Sequence, residues 1–511
     1  MEYSILIKQV FNPFLPLDTY IPDGEPHVFG DRVYLFGSHD KEGGETFCML
    51  DYEIWSAPID DLSDWSCNGS NYSALQDPLA AVTGRPYLYA PDCVRGNDGR
   101  YYLYYCLSGD KGVGGYHGPI GVAVCDTPDG EYKFYGHVRF ADGTLCYRFV
   151  PFDPAVINDG GVIRLYYGTW YPYDELPPGE REKYLPIQAQ MFGKTVEEIV
   201  SEPGGVMGPV CCTLCDDMLT IKDGPVRILP ADTRGTPFES KMAESGLVEG
   251  HKFYGHGFYE GASIRKIGGI YYFIYSSVNN HELCYATSRY PDREFRYRGV
   301  IVSNGDVGIA GRRESERLNH TGTTHGSIEC INGRWYVFYH RQTHGTDYSR
   351  QACAEPIVIL PDGSIPQVEI TSCGLNGAPL AAEGTYPAVI CCNLTDGHMP
   401  HGGNASFTGI PMISHDQHDR FLTGLKQGTS IVYKYFDLSV STHVFLSLRG
   451  KGRIALGNSS TEVDSADWKE YVLPVQDRSA RQMLCFQVLQ GELEMLSLRF
   501  EKGGTEHGNH L

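Results

Sequence analysis

The sequence predicts an all-β protein, a five-bladed β-propeller followed by a β-sandwich. Five hairpins of one design recur along the first three-quarters of the chain. Amphipathic helix is almost absent between them. Past residue 375 the pattern changes to short alternating strands at regular spacing.

The hairpins are "GDRVYLFGSHD" (30–40), "GNDGRYYLYYC" (96–106), "NDGGVIRLYYGT" (158–169), "KIGGIYYFIYSS" (266–277) and "INGRWYVFYHRQ" (331–342). Each joins a glycine-bearing tight turn to a strand of alternating aromatic and aliphatic residues, a strong hairpin signal. A second repeat supports the first. "DTPDGEYKFYG" (126–136) and "SRYPDREFRYRG" (288–299) share their Pro-Asp, aromatic and Gly spacing, and each follows a short apolar strand. Similar units in series, with variable spacers, point to radial repetition. The propeller is expected over 1–375, with an insertion over about 171–240. That insertion carries the main helical candidate, "KTVEEIVSE" (194–202).

Beyond the propeller, "SIVYKYFDL", "HVFLSLRGKGRIALG", "WKEYVLPV", "QMLCFQVL" and "EMLSLRFE" predict a β-sandwich over 376–503. The polar end, 504–511, reads as a disordered tail. The stretch 361–384 has few charges and no Ser/Gly run, so the sandwich is expected to pack on the propeller rather than swing on a tether.

With 511 residues, 41% hydrophobic and 21% charged, the chain has the composition of a globular protein. Its net charge of −21 argues against nucleic acid or an anionic membrane as partner. The N-terminus lacks the basic start and apolar run of a secretory signal. The 16 Cys show no disulfide framework. Reduced thiols and a cytoplasmic location are therefore expected. "CCTLC" (211–215) lacks a matching second pair for a zinc site.

Aligning the hairpins on Tyr34, Tyr102, Arg164, Tyr272 and Tyr336 brings a further column into register ten to twelve residues earlier: Asp23, Asp92, Asp153, Glu260 and His325. In a propeller the first strand of each blade lines the central axis, so four carboxylates and an imidazole are expected to converge. Any one of them reads as a turn-capping acid. All five in register point to use, because clustered acids repel one another and lose solvation.

The motifs "YIPDGEP", "YAPDC", "FVPFDPAV", "GFYEGASI" and "THGSI", one per blade, resemble those of glycoside hydrolase family 43, over roughly residues 10–370. The resemblance implies inverting hydrolysis of arabinofuranosides or xylosides, with small oligosaccharides as partners and no organic cofactor. It implies Asp23 as general base, Glu260 as general acid and Asp153 as the residue that orients the acid and raises its pKa. Glu25, which precedes a Pro, competes for the base role, although Asp23 keeps the offset of Asp153 and His325. Asp92 fits either a ligand-orienting role or a brace for its turn. His325 matches a position near a metal, often calcium, yet serves equally as a hydrogen-bond partner of Glu260 or a water. His27, His256, Arg341 and Trp170 lie near the motifs. Arg341 is a candidate for a sugar hydroxyl or for Asp23, Trp170 for ring stacking, and each of the four fits packing as well. The C-terminal part resembles jelly-roll carbohydrate-binding modules such as family 6. It shows no aromatic platform and reads as a packing or docking module. The competing functions are a phosphorylase or invertase-like propeller enzyme, which needs a basic phosphate pocket, a galactoside-active glycosidase, and a non-catalytic sugar-binding propeller, which tolerates loss of an acid.

Overall fold

The computed structural model describes residues 8–82, 86–107, 118–147, 151–169, 195–197, 208–229, 256–402 and 406–501. Five antiparallel sheets form the blades. Blade 1 contains β1 (Glu25–Phe29), β2 (Arg32–Phe36), β3 (Tyr52–Pro58) and β4 (Ser66–Tyr72). Blade 2 contains β5 (Leu88–Arg95), β6 (Tyr101–Leu107), β7 (Gly121–Cys125) and β8 (Lys133–His137). Blade 3 contains β9 (Ala155–Asp159), β10 (Val162–Tyr167), β11 (Val210–Leu214) and β12 (Ile221–Arg227). Blade 4 contains β13 (Phe258–Ile267), β14 (Ile270–Ser277), β15 (Glu282–Ser288) and β16 (Arg296–Ser303). Blade 5 contains β17 (Ser327–Ile331), β18 (Arg334–Gln342) and β19 (Arg350–Ile357).

The alternation of the hairpin strands explains the radial packing. Successive side chains of a strand face opposite ways, and here both faces are buried between blades. Val33 and Leu35 of β2 pack with Ile331 and Phe338 of blade 5. Tyr34 and Phe36 pack with Leu88 and Leu103 of blade 2. The same division continues at the interfaces of blades 2 and 3, 3 and 4, and 4 and 5. Each large apolar side chain buried this way contributes about 1.5–3 kcal/mol before entropy is counted. The first strands β1, β5, β9, β13 and β17 are neighbours in a closed ring around the axis. Gly24 and Gly326 close that ring as a bridge between blades 1 and 5. A Cβ at Gly326 would stand 1.9 Å from the Phe338 carbonyl oxygen, so only glycine fits.

The start of the chain completes blade 5. Asn12 donates to the Ala354 carbonyl and accepts from the Ala354 N–H, both at 2.9 Å, and the Phe14 N–H bonds the Ala352 carbonyl. The excursion expected over 171–240 is interrupted, because β11 and β12 fall within it and form the outer half of blade 3, β11 pairing with β10 and β12 with β11. Cys211 and Cys212 are strand residues that turn to opposite clusters. Of the helical candidate 194–202, only 195–197 lie within the described residues.

The C-terminal region is a nine-stranded sheet around its own core. Its strands are β20 (Leu380–Ala381), β21 (Gly384–Pro387), β22 (Asn393–Thr395), β23 (Met412–His415), β24 (Arg420–Lys426), β25 (Ser430–Asp437), β26 (His443–Leu456), β27 (Ser459–Pro474) and β28 (Gln482–Phe500). β28 is the spine: β26 runs along one edge, and β25, β24 and β21 share the other. The region packs on the propeller through buried polar contacts. Lys434 Nζ lies 2.8 Å from Asp306 Oδ2, and Asn319 donates to the Cys392 carbonyl. No helix among the described residues is long and apolar enough to cross a membrane.

Candidate active site

Strand register sorts the axial side chains into two tiers. The lower tier lies opposite the second residue past each aligned position: Glu25 opposite Phe36, Asp92 opposite Tyr104, Ala155 opposite Tyr166, Ser263 opposite Ile274 and Ser327 opposite Phe338. The upper tier, one pleat on, holds Asp23, Tyr89, Asp153, Glu260 and His325. All five upper residues line one cavity of about 380 Å³, together with Phe47, Cys48, Phe152, Tyr259, Tyr348 and Arg350. That volume suits a small ligand.

The expected column is therefore four-fifths of the upper tier, and Asp92 is the exception. Blade 2 has a hairpin turn one residue longer than blade 1, and a bulge between Tyr89 and Asp92, with Ala90 at φ 33°. Together they move Tyr89 into the pocket and Asp92 down beside Glu25. In blade 4 a bulge at Gly261 (φ 71°) absorbs the one extra residue of the Glu260 offset and keeps Glu260 in the upper tier.

Asp23 is built as an ionised carboxylate. Its Oδ1 accepts from Arg350 Nη1 at 2.9 Å and its Oδ2 from Ser38 Oγ at 2.6 Å. Arg350 is held in turn by Asp40, through Nε at 2.8 Å and Nη2 at 3.0 Å. The backbone N–H of Asp23 donates to Nδ1 of His340, whose Nε2 faces the Thr323 carbonyl at 2.9 Å. Burial pushes the Asp23 pKa up, but Arg350 and His340 outweigh burial and hold it well below the usual carboxylate range. The backbone has φ 59° at Asp23 and φ 45° at Asp153. Such non-glycine conformations cost about 1–3 kcal/mol each and concentrate at functional sites.

Glu260 is the opposite case. No protein group among the described residues hydrogen-bonds its carboxyl. Burial and the negative charge of Asp23, only partly offset by Arg350, push its pKa up to about 8. Asp153 lies against the same strand, its Oδ2 accepting from the Gly261 N–H at 2.9 Å. Burial and the charge of Glu260 raise Asp153 as well, so the two carboxyls titrate as a pair. His325 Nδ1 lies 3.9 Å from both Asp23 Oδ1 and Asp153 Oδ2. Burial lowers the His325 pKa to about 4, so the ring is neutral at pH 7. Its Nε2 is buried without a hydrogen-bond partner.

That nitrogen suits a water, but a directly held calcium needs six to eight oxygen ligands. No potential metal-holding cluster of His, Cys, Asp and Glu among the described residues includes His325. The residues do not fit a calcium bound to protein ligands here.

The remaining candidates lie elsewhere. Glu25 is sealed below the pocket, with Oε2 bonded to Arg265 Nη2 at 2.9 Å. Asp92 braces blades 1 to 3: it accepts from His27 Nε2, from its neighbour Cys93 N–H and from the Val156 N–H at 2.6–2.7 Å. Arg341 donates to the Cys391 carbonyl at 3.4 Å, joining blade 5 to the C-terminal region. His256 bonds Glu282 at 2.7 Å, stacks on Tyr297 and is not a pocket-lining residue. Trp170 lies outside the described residues. Sequence reasoning missed Arg350, which sits in no motif, and Asp40, which stands at the end of the first hairpin.

The family model for glycosyl hydrolases family 43 matches residues 11–200. A xylosidase/arabinosidase of Thermoclostridium stercorarium is 44% identical over 461 residues, covering 87% of this chain and 86% of that protein. A xylosidase/arabinosidase of Bacteroides ovatus is 28% identical over 340 residues, covering 64% and 87%. Among solved structures, the GH43_1 enzyme of Xanthomonas citri complexed with xylotriose aligns with a TM-score of 0.51 at 25% identity, covering 71% of this chain and 94% of that one.

Proposed function

The chain belongs to glycosyl hydrolases family 43 and is a glycosidase; from that premise we propose that it removes xylosyl or arabinofuranosyl residues from short plant-derived oligosaccharides with inversion of configuration. The observation that carries the mechanism is the opposed bias of two carboxyls in one cavity: Asp23 held ionised by Arg350, Glu260 held protonated by burial and by Asp23.

Glu260 gives its proton to the glycosidic oxygen as the bond from that oxygen to the anomeric carbon breaks. Asp23 takes a proton from a water whose oxygen forms the new bond on the opposite face. An inverting pair stands about 6.5–9.5 Å apart to admit that water. Asp153 fixes the turn after Glu260 through the Gly261 N–H, and its carboxyl, raised by burial and by Glu260, titrates with the acid as a pair. Tyr89, Phe47 and Tyr348 supply rings to the pocket wall, suited to the faces of a sugar.

The choice of sugar rests on the relatives named xylosidase/arabinosidase and on the xylotriose complex of the Xanthomonas enzyme. A phosphorylase is disfavoured: Arg350 is the one Lys or Arg among the described lining residues, and Asp23 and Asp40 occupy it. None of the sixteen cysteines is in a disulfide, which suits a reducing compartment, and we place the enzyme in the cytoplasm.

Nitrophenyl β-xyloside, α-arabinofuranoside and galactoside substrates, followed by NMR of the first anomer released, test the proposal. Hydrolysis of one of the first two with the inverted anomer first is expected. Turnover of the galactoside alone, or a retained first anomer, overturns it.

A further inference from the structure

One wall of the cavity is the loop that follows the first hairpin: Glu45, Thr46, Phe47 and Cys48 all line it. Just before them, Glu42 meets two imidazoles at the junction with the C-terminal sheet. His344 Nε2 and His415 Nδ1 are 3.3 Å apart, and each is 3.7 Å from Glu42 Oε1. The Tyr20 hydroxyl stands 2.9 Å from Glu42 Oε1 and, on the His344 ring, 3.1 Å from Nδ1 and 3.4 Å from Nε2. Ligands of a tetrahedral ion with bonds of about 2.0–2.1 Å lie about 3.4 Å from one another. We infer that Glu42, His344 and His415 form a binding site for a divalent transition ion of the zinc class, with a water in the fourth position.

The donor set supports the assignment. Two imidazole nitrogens and one carboxylate oxygen suit zinc and its neighbours rather than calcium or magnesium. Arg420 grips both oxygens of the carboxylate, with Nη2 2.8 Å from Oε2 and Nε 3.1 Å from Oε1. It fixes the carboxylate as outer partners of metal ligands do, while its charge tempers the affinity for a cation. His415 is partly exposed and offers a way in.

The three ligands come from three parts of the chain. Glu42 lies in the loop between β2 and β3 of blade 1, His344 follows β18 of blade 5, and His415 ends β23. An ion here would pin the pocket loop to both the propeller and the C-terminal sheet, away from the reacting atoms. It would act as a structural clamp.

The test is equilibrium dialysis of the reduced, chelator-stripped full chain against Zn²⁺, with wild type and His415→Ala side by side. Comparing the two cancels binding by the cysteines. Wild type should take up one more ion per chain. Outer-shell changes cost about 10–100-fold in affinity, so losing a ligand should weaken this site by more than about a hundredfold. Co²⁺ should give wild type the visible absorption of tetrahedral coordination, absent in His415→Ala. Glu42→Gln should reproduce the loss. Equal uptake by wild type and both variants, or no tetrahedral Co²⁺ spectrum in wild type, overturns the site.

Discussion

Asp23 and Glu25 stand two residues apart at the start of β1, face the same axis and each pair with a buried arginine. Asp23 opens onto the cavity with Arg350, and Glu25 lies sealed below it with Arg265. The upper tier has room for a ligand. The lower tier is filled: Arg265 reaches across from blade 4 to Glu25 and to the Pro26 carbonyl, and Ser263 bonds Ser327 at 2.6 Å. The comparison teaches that buried acids around an axis are not by themselves a reaction centre. Opposed protonation beside open space makes the upper tier one, while the same kinds of group below make a plug that ties the blades together.

The largest expected effect falls on the upper tier alone. Asp23→Asn should cut kcat by about 10³–10⁴ on every substrate, because water must be activated whichever group departs. Asn tolerates the left-handed backbone at this position, so the fold should persist. Steady-state kinetics with circular dichroism check both. A near-normal Asp23→Asn beside an inactive, folded Glu25→Gln would exchange the roles of the two tiers.

Glu260→Gln should lose about 10²–10³ on poor leaving groups and much less on activated aryl glycosides, which need little protonation. Asp153→Asn sharpens the point through pH. With Glu260 pushed up to about 8, the high-pH limb of kcat/KM should fall near pH 8. Asp153 and Glu260 titrate as a pair, so taking one carboxyl out should move that limb to lower pH. A limb that stays in place would detach Asp153 from the acid.

Next come the two arginines. Arg350→Ala leaves Asp23 and Asp40 facing each other without a counter-charge and should cost about 3–5 kcal/mol in urea unfolding, along with activity. Arg265→Ala should cost less below pH 7, because Glu25, already pushed up to about 7, can take a proton instead. Equal costs at pH 6 would erase the electrostatic distinction between the tiers.

The sequence carried much of this. Five glycine turns, each followed by a two-sided apolar strand, dictate blades, and the constant offset to Asp23, Asp153 and His325 locates the upper tier. Legibility fails where counting residues fails. A bulge at Ala90 and a longer turn move Asp92 down a tier, and no residue type announces either. β11 was hidden because "VCCTL" reads as a thiol cluster although it alternates as a strand. Arg350 and Asp40 are joined only by closure of the ring between blades 5 and 1, a contact 310 residues apart in sequence. Arg341 follows a motif, but its strand aims it at the C-terminal region.

The smallest effect belongs to the lower tier and concerns stability alone. Burial, reinforced by Asp92 and opposed by Arg265, raises the Glu25 pKa from 4.5 to about 7. Between those values the folded chain binds more protons at this site than the unfolded chain, so stability falls as pH rises. The contribution is fully present below about pH 4.5 and lost as pH passes about 7, a change of up to about 3 kcal/mol. Glu25→Gln removes the titration. The stability of wild type minus that of the variant should therefore decline between pH 5 and pH 7.5 and level off above it. Activity should stay within about twofold at every pH, since no substrate reaches this tier. Urea unfolding of both proteins across that range gives the difference directly. A difference that grows with pH would mean that Glu25 is held ionised by Arg265, as Asp23 is by Arg350, and the two tiers would then share one electrostatic design.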